Sequence, residues 1–421
     1  MNYTFAEAQQ NEPYTVSNVD LNFPDIGANG KPLATQQNLE TLLNHLGLKP
    51  MTNQMTLEFE IFECGRLFDS SFDGMRSLIV SECLKAGLPK SVFEDHLMAL
   101  AEKNTYHPFR NYLDSDKWDG VERVLPLIEA MNAKDPDIAR AVMLRFFISV
   151  VASVFEPRFS SKLIPILQGG QSFKKTAFIR RFADVLNGAF LEGAELNPDN
   201  KDSVLACIKS LITELGELER TSKNSQGGLK AFITREVDTV RPPYGRTEIK
   251  KKRQTSLIAT VNGSEFLRDE TGSSRFAVLE LEKPIDIERV NTILGWSYVS
   301  GRLKLVKPEQ LKQFWLEVMQ YYLDGESWLL NTDESTKVAK INQGHDYKGN
   351  WYDMLYERFV GVDPIGRSFK WMTATDVCNY CDVGQNNCRS IGVALKRLAT
   401  EGLIESKKGS ANKTFYKLNV V

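Results

Sequence analysis

"ILQGGQSFKKTAF", residues 166–178, is the stretch on which the fold turns. An apolar lead-in runs into two glycines, then a lysine pair, a threonine and a further apolar run. A phosphate-binding loop reads G-x-x-x-x-G-K-[ST] between a strand and a helix. In that register Gly169 is the first glycine, Lys174 stands where the second belongs, and Lys175-Thr176 complete the motif. Polyphosphate needs inward-facing backbone amides, a helix N-terminus and a mobile cation. Gly169, Gly170, Gln171, Ser172, Phe173 and Lys174 form the loop that would supply the amides. Lys175 is placed to reach the β- and γ-phosphates of ATP, and Thr176 to ligate Mg²⁺. Lys174 is the departure, because the second glycine takes a backbone shape that a Cβ tolerates poorly. A basic helix start that binds nothing would carry the same letters.

The flanks supply the context. "KLIPILQGG" reads as a short buried strand and "KKTAFIRRFADVL" as a helix. Further strands are expected at "SLITEL" (210–215), "RQTSLIATVN" (253–262) and "RFAVLEL" (275–281), alternating with helical or irregular stretches. That alternation predicts an α/β sheet. "SLITELGELE" puts Glu214 and Glu217 at the end of an apolar strand, where metal-assisted phosphoryl transfer needs an acid beside Mg²⁺ and another to polarise water. A solvated acidic strand exit is the plainer reading. "LIATVNGSEFLRDETGSSRF" ends a strand at Asn262, suited to orienting a water, and then carries Arg268 and Arg275. Either arginine could act on a neighbouring subunit's nucleotide, and surface ion pairing is the commoner fate of both. Between these lies "VRPPYGRTEIKKKRQ", a hairpin pattern with Arg241, Tyr244, Arg246, Lys250, Lys251, Lys252 and Arg253. Cations with one ring suit a single-strand contact, and a solvated charged loop looks the same.

In order along the chain, "NTYHPFRNYLDSDKWDGVERV", "ILQGGQSFKKTAFIRRF", "LITELGELE", "LKAFITREVDTVRPPYGR" and "NGSEFLRDETGSSRF" resemble the virulence-associated E (VapE) family of phage- and satellite-encoded replication proteins. The resemblance covers about residues 36–330. It implies an AAA+/superfamily 3 helicase-like P-loop ATPase that binds ATP and Mg²⁺ and hydrolyses ATP. It also implies a ring of identical subunits, a hexamer, that moves on single- and double-stranded DNA. Lys175 and Thr176 take the Walker A roles, Glu214 and Glu217 the Walker B roles, and Asn262 the sensor role. Arg268 or Arg275 becomes the trans-acting arginine, and Lys230 with the 238–253 segment the DNA grip. Thr176 and Glu214 hold the metal. His107, Trp118 and Asp119 belong to the upstream motif, where a buried aromatic and an Asp-Gly turn suffice as explanation. No primase pattern stands in the N-terminal region, so the expectation is an ATPase without primer synthesis. The alternative is a DNA-binding initiator or nucleotide-gated regulator with weak or no hydrolysis. Phage or host replication proteins are further expected partners.

The rest of the chain bounds these readings. A length of 421 residues, 42% hydrophobic and 25% charged, is ordinary for several globular domains. The net charge of −2 means that any nucleic-acid contact rests on local basic patches. The N-terminal letters lack a secretory pattern, and six scattered cysteines suit a reducing compartment, so a cytoplasmic location is expected. No apolar run is read as long enough to span a bilayer. The expected division is a flexible leader (1–35), a small α-rich domain (36–105), the ATPase with its helical lead-in (106–330), a charged linker (331–350) and a winged helix (351–421). In the last, Arg389, Lys396, Arg397, Lys407, Lys408 and Lys413 could recognise an origin, or the module could serve protein contacts. Cys378, Cys381 and Cys388 lack a nearby fourth ligand and are read as buried thiols rather than a zinc site.

Overall fold

The computed structural model describes residues 21–68, 71–216, 231–241, 247–263, 266–267, 275–345, 349–362, 368–409 and 413–420. The N-terminal unit holds α1 (Gln36–His45), β1 (Leu48–Asn53), β2 (Phe59–Glu63), β3 (Arg66–Leu67), α2 (Phe72–Lys85), α3 (Ser91–Lys103) and β4 (Thr105–Tyr106). It is less purely helical than its sequence suggests, since the strands form a sheet in the order β3-β2-β1-β4. Pro50 hides β1 from a sequence reading. Thr52 N–H donates to Asn104 O, so an amide two residues earlier would face the same side, ahead of the start of β4. The sheet therefore loses no bond to the proline. Residues 21–35 also depart from the expected free leader. The buried Asn38 side chain donates to Asp25 O (2.8 Å) and Leu33 O (2.9 Å), and Ile26 bridges Pro32.

Two short helices, α4 (Pro108–Asp114) and α5 (Val124–Glu129), lead into α6 (Pro136–Phe155). By length and composition α6 could cross a bilayer, which corrects the expectation that no such run exists. It is instead a core helix, with 72% of its apolar window buried. It packs on the central sheet and on the later helix 308–323.

That central sheet is built from β5 (Ile164–Gln168), β6 (Phe190–Ala194), β7 (Ile212–Gly216), β10 (Ser256–Val261) and β11 (Phe276–Glu280). Its order is β11-β5-β10-β7-β6, and every pair is parallel. Crossovers include α7 (Lys175–Ala183) and α8 (Lys201–Ile208). The hairpin β8 (Val237–Val240) and β9 (Ile249–Lys252) stands apart as its own pair. Alternate strand residues enter two separate cores. Leu167, Ile258, Ala277 and Leu279 join α6 and its neighbours, while Ile166, Ala259, Val261 and Val278 join α8 and Phe232. Helical cover on both faces is why these strands read as unbroken apolar runs.

Beyond β11 follow α9 (Ile287–Leu294), the hairpin β12 (Trp296–Val299) and β13 (Arg302–Leu305), α10 (Pro308–Leu323) and α11 (Thr332–Gln343). The expected charged linker is thus mostly a capped helix. Buried Asn342 explains its attachment: its Nδ2 donates to Phe276 O (2.7 Å), and its Oδ1 accepts from Val278 N (3.1 Å). The asparagine thereby serves the first half of the β11 edge, and Lys134 N donates to Glu280 O farther along it. The C-terminal unit comprises α12 (Asn350–Phe359), β14 (Ser368–Met372), α13 (Ala374–Tyr380), α14 (Cys388–Thr400), β15 (Glu405–Lys408) and β16 (Thr414–Val420), with sheet order β14-β16-β15. The two helices and final hairpin lie where the sequence placed them; α12 and β14 are additions.

Candidate functional site

β5 ends at Gln168, and the chain turns through residues 169–174 into α7. A Cβ on Gly169 would stand 2.7 Å from the Phe173 ring, and one on Gly170 3.0 Å, so these glycines make room for the ring that floors the loop. Lys174 adopts φ +61°, in the left-handed region where the motif's second glycine normally sits. The chain therefore keeps the backbone shape and bears the cost of a Cβ there. The Lys174 side chain is exposed.

Lys175, at the first turn of α7, is 8% exposed. Its ammonium donates to Gly169 O (2.7 Å), Gly170 O (3.0 Å) and Asn262 Oδ1 (2.8 Å). Those bonds use all three ammonium hydrogens. Burial lowers its pKa, and Glu214 opposes that shift. Thr176 Oγ1 donates to Glu214 Oε1 at 2.7 Å, and Thr260 Oγ1 to the same oxygen at 2.9 Å. Glu214 is 1% exposed, and its second oxygen, Oε2, has no bonding partner of good geometry. Burial pushes the carboxyl above its usual range, the two hydroxyls and the Gly193 backbone oppose this, and Glu192 adds to it.

Topology explains the convergence. β10 lies between β5 and β7, with Val261 paired to Gln168 and Thr260 to Gly216. Its C-terminal end thus inserts Thr260 and Asn262 between the loop after β5 and the acid on β7. This is the crevice beyond the carboxyl ends of parallel strands, where α/β sheets bind ligands. Thr260 had no role in the sequence reading, although period-two spacing from Asn262 on the same strand was the available signal.

Glu217, Lys230, Tyr244, Arg246 and Arg268 lie outside the described residues. Arg275 is not brought to this site. Its carbonyl accepts from Ile164 N, which puts it at the start of β5 and β11, the opposite end of the sheet. Its guanidinium Nε is buried without a partner.

The basic hairpin is corrected in part. Lys250 and Lys252 are exposed on β9, and Arg241 is exposed at the end of β8. Lys251 points inward, donating to Ile208 O at 2.6 Å and also to Met55 O. Arg253 is 4% exposed and forms a two-point pair with Asp238, at 2.7 and 2.9 Å. Its guanidinium also lies 4.0 Å from the centroid of buried Phe232. Neither side chain is free to meet a phosphate; strand alternation turns every second cation of the run inside.

The upstream motif is structural. His107 caps α4, accepting at Nδ1 from Arg110 N, and burial lowers its pKa to about 4, which keeps the ring neutral. Asp119 pairs with Arg123 at 2.8 Å and accepts from Val121 N. From α10, Gln313 accepts from Asp119 N, while Glu317 accepts from Arg123 N and Val124 N. The segment is a strap tying α5 to α10. The three C-terminal cysteines are free thiols, with Cys378 buried, and no metal-binding cluster occurs among the described residues.

Comparison with known proteins adds the following. No curated protein sequence matches the chain. "The apo structure of NrS-1 C terminal region (305-718)" is 13% identical, covers 91% of this chain and 98% of its own, and superposes with a TM-score of 0.44. "The A form apo structure of NrS-1 C terminal region-CTR" is 12% identical, with 91% and 99% coverage and a TM-score of 0.45. The virulence-associated protein E-like domain matches residues 113–347, which is more than half of the 421 and spans the strap, the loop after β5, Glu214 and Asn262. The chain belongs to the virulence-associated protein E-like domain family.

Proposed function

We infer that the chain is an ATP-dependent DNA motor for replication of a phage or phage satellite. Its core would be a P-loop fold of the AAA+/superfamily 3 helicase kind, working as a ring, most simply a hexamer. The observation that carries this reading is the Thr176–Glu214–Thr260 cluster, with one buried carboxylate oxygen left over, beside a lysine bonded to its own loop. An orphaned buried carboxylate oxygen next to a threonine hydroxyl fits a divalent cation, so the residues suit Mg²⁺. When bound, that ion would neutralise phosphate charge and polarise the terminal phosphoryl group. Thr176 and Glu214 would hold it. Loop amides of residues 169–174 and the N-terminus of α7 would orient the phosphates. Lys175 would exchange Gly169 O and Gly170 O for phosphate oxygens, remaining close to Asn262. Asn262 would position the attacking water, with Glu217 accepting its proton.

Arg275 lies at the far end of the sheet from its own site, which supports service to a neighbouring subunit in a ring. Lys250, Lys252 and Arg241 remain the exposed cations of the hairpin for DNA, and the C-terminal unit is read as a winged helix. A second reading, a nucleotide-gated regulator with slow turnover, is favoured by Lys174 alone. The deciding experiment is ATP hydrolysis by the full chain with and without single-stranded DNA. Turnover stimulated by DNA and abolished in Lys175→Ala supports the motor. Equal turnover in variant and wild type would overturn the assignment, and nucleotide binding without turnover would favour the regulator. Light scattering that finds only monomer with ATP and DNA present would remove the ring.

A further inference from the structure

The C-terminal sheet buries one face and leaves the other open along β14 and β15. Met372, Tyr416, Leu418 and Val420 point into the core beneath α12, α13 and α14. Strand alternation and register put Phe369, Trp371, Phe415, Lys407 and Lys417 on the opposite face. Phe369 is 62% exposed and Trp371 37%. Trp371 stands directly opposite Lys417, and Phe415 opposite Lys407. Lys407 Nζ lies 4.1 Å from the Trp371 ring centroid, and Lys417 Nζ 5.3 Å from that of Phe369.

We propose that this outer sheet face is a binding platform for single-stranded DNA, separate from the nucleotide site and from the exposed side of α14. Flat rings standing clear of the surface offer stacking surface to unpaired bases, and ammonium groups beside them meet the phosphates between. Charge selects the occupant: on this face Lys407 and Lys417 stand against a single carboxylate, Glu405, while alternation turns Lys370 and Lys408 to the other side. Glu405 holds Lys417 at 2.7 Å on an exposed pair, which a phosphate can replace at little cost. Duplex DNA keeps its bases stacked on one another and offers the rings nothing. By contrast, the exposed face of α14 provides only Arg389 and Lys396 as free-standing cations beside Val393, because Arg397 pairs with Glu401.

The test uses the full chain without nucleotide, so its outcome is independent of the motor reading. Binding of a fluorescein-labelled oligothymidylate is followed by anisotropy for wild type, Phe369→Ala/Trp371→Ala, Trp371→Phe and Lys407→Glu. The double variant should bind more weakly by about tenfold or more, Lys407→Glu should lose affinity, and Trp371→Phe should keep most of it. Photo-cross-links from a bromodeoxyuridine oligonucleotide should map to β14 and β16. Equal binding by all variants with cross-links elsewhere would overturn the proposal. So would loss confined to duplex DNA, or a change of oligomeric state with single-strand affinity intact, which would make the face a contact between copies. Lys407→Glu, on an exposed edge strand, keeps the test valid if the aromatic variant fails to fold.

Discussion

Replacing Glu214 with glutamine should make the nucleotide-free protein more stable while disabling it. The carboxylate is 1% exposed, and one oxygen accepts both the Thr176 and Thr260 hydroxyls. The other oxygen has no partner of good geometry. An unsatisfied buried acceptor costs about 1–3 kcal/mol, more when charged. The glutamine Oε1 keeps both hydroxyl bonds, the charge disappears, and an unpartnered amide hydrogen replaces part of the relief. A net gain of about 1 kcal/mol follows, or about 2–4 °C in Tm for a domain of this size. The sign with pH is fixed by the direction of the shift. A carboxyl raised by burial contributes stability that is present below its ordinary value and lost as pH rises through its raised value. The advantage of Glu214→Gln should therefore be full above the raised value and shrink as pH falls through it into the ordinary carboxylate range. Adding Mg²⁺ with a non-hydrolysable ATP analogue should reverse the order, because only the wild type gains a counter-charge, and turnover should fall by about 10²–10³-fold. Calorimetry with and without the analogue, and steady-state hydrolysis, read both effects. A variant no more stable than wild type at the higher pH, or an equal response to Mg²⁺ and analogue, would refute the reasoning.

Three further outcomes are expected. Lys174→Gly should retain hydrolysis and gain up to about 1 kcal/mol by relieving a left-handed residue, whereas Lys174→Val should lose about that much, both read from urea midpoints. Wild-type stability should rise between about pH 7 and about pH 10 relative to Lys251→Met. Burial lowers Lys251 to about 7, so above that pH the unfolded chain binds the proton that the folded chain has released. Asn342→Ala should cost about 2–3 kcal/mol in chemical denaturation, because it strips partners from Phe276 O and Val278 N at the edge of the central sheet.

How much was legible depended on where the physics resides. Four of the five central strands were legible because each is apolar on both faces, and a run such as Ile164–Gln168 has no other stable use; β6, half-exposed at the sheet edge with Glu192 and Gly193, was not. The loop after it was legible because glycine, lysine and threonine at fixed spacing have few shared purposes. Glu214 and Asn262 were found as strand ends, but their contact with Thr176 and Lys175 depends on strand order, which spacing does not encode. Thr260 was missed although period-two spacing puts it on the face of Asn262; its bond to Glu214 again depends on strand order. The helix Thr332–Gln343 was missed because what anchors it is one asparagine acting as a surrogate strand, not an apolar stripe.

The run Lys250-Lys251-Lys252-Arg253 shows the limit most sharply. Four consecutive cations read as one solvated patch, yet the fold sorts them by alternation. Lys250 and Lys252 face water, while Lys251 and Arg253 meet acceptors supplied from far away in sequence: Ile208 O, Met55 O and Asp238. Ile208 O also accepts from Thr255, and Ser210 O accepts from Thr255 at 2.6 Å, so these bonds fasten the hairpin to the starts of β7 and β10. β7 carries Glu214, and Asn262 follows the last residue of β10. The inward side chains therefore hold the exposed cations on the same frame that carries Glu214 and Asn262. Truncating Lys251 or Arg253 would remove these bonds and loosen that frame, whereas neutralising Lys250 or Lys252 would change only what the frame presents to solvent.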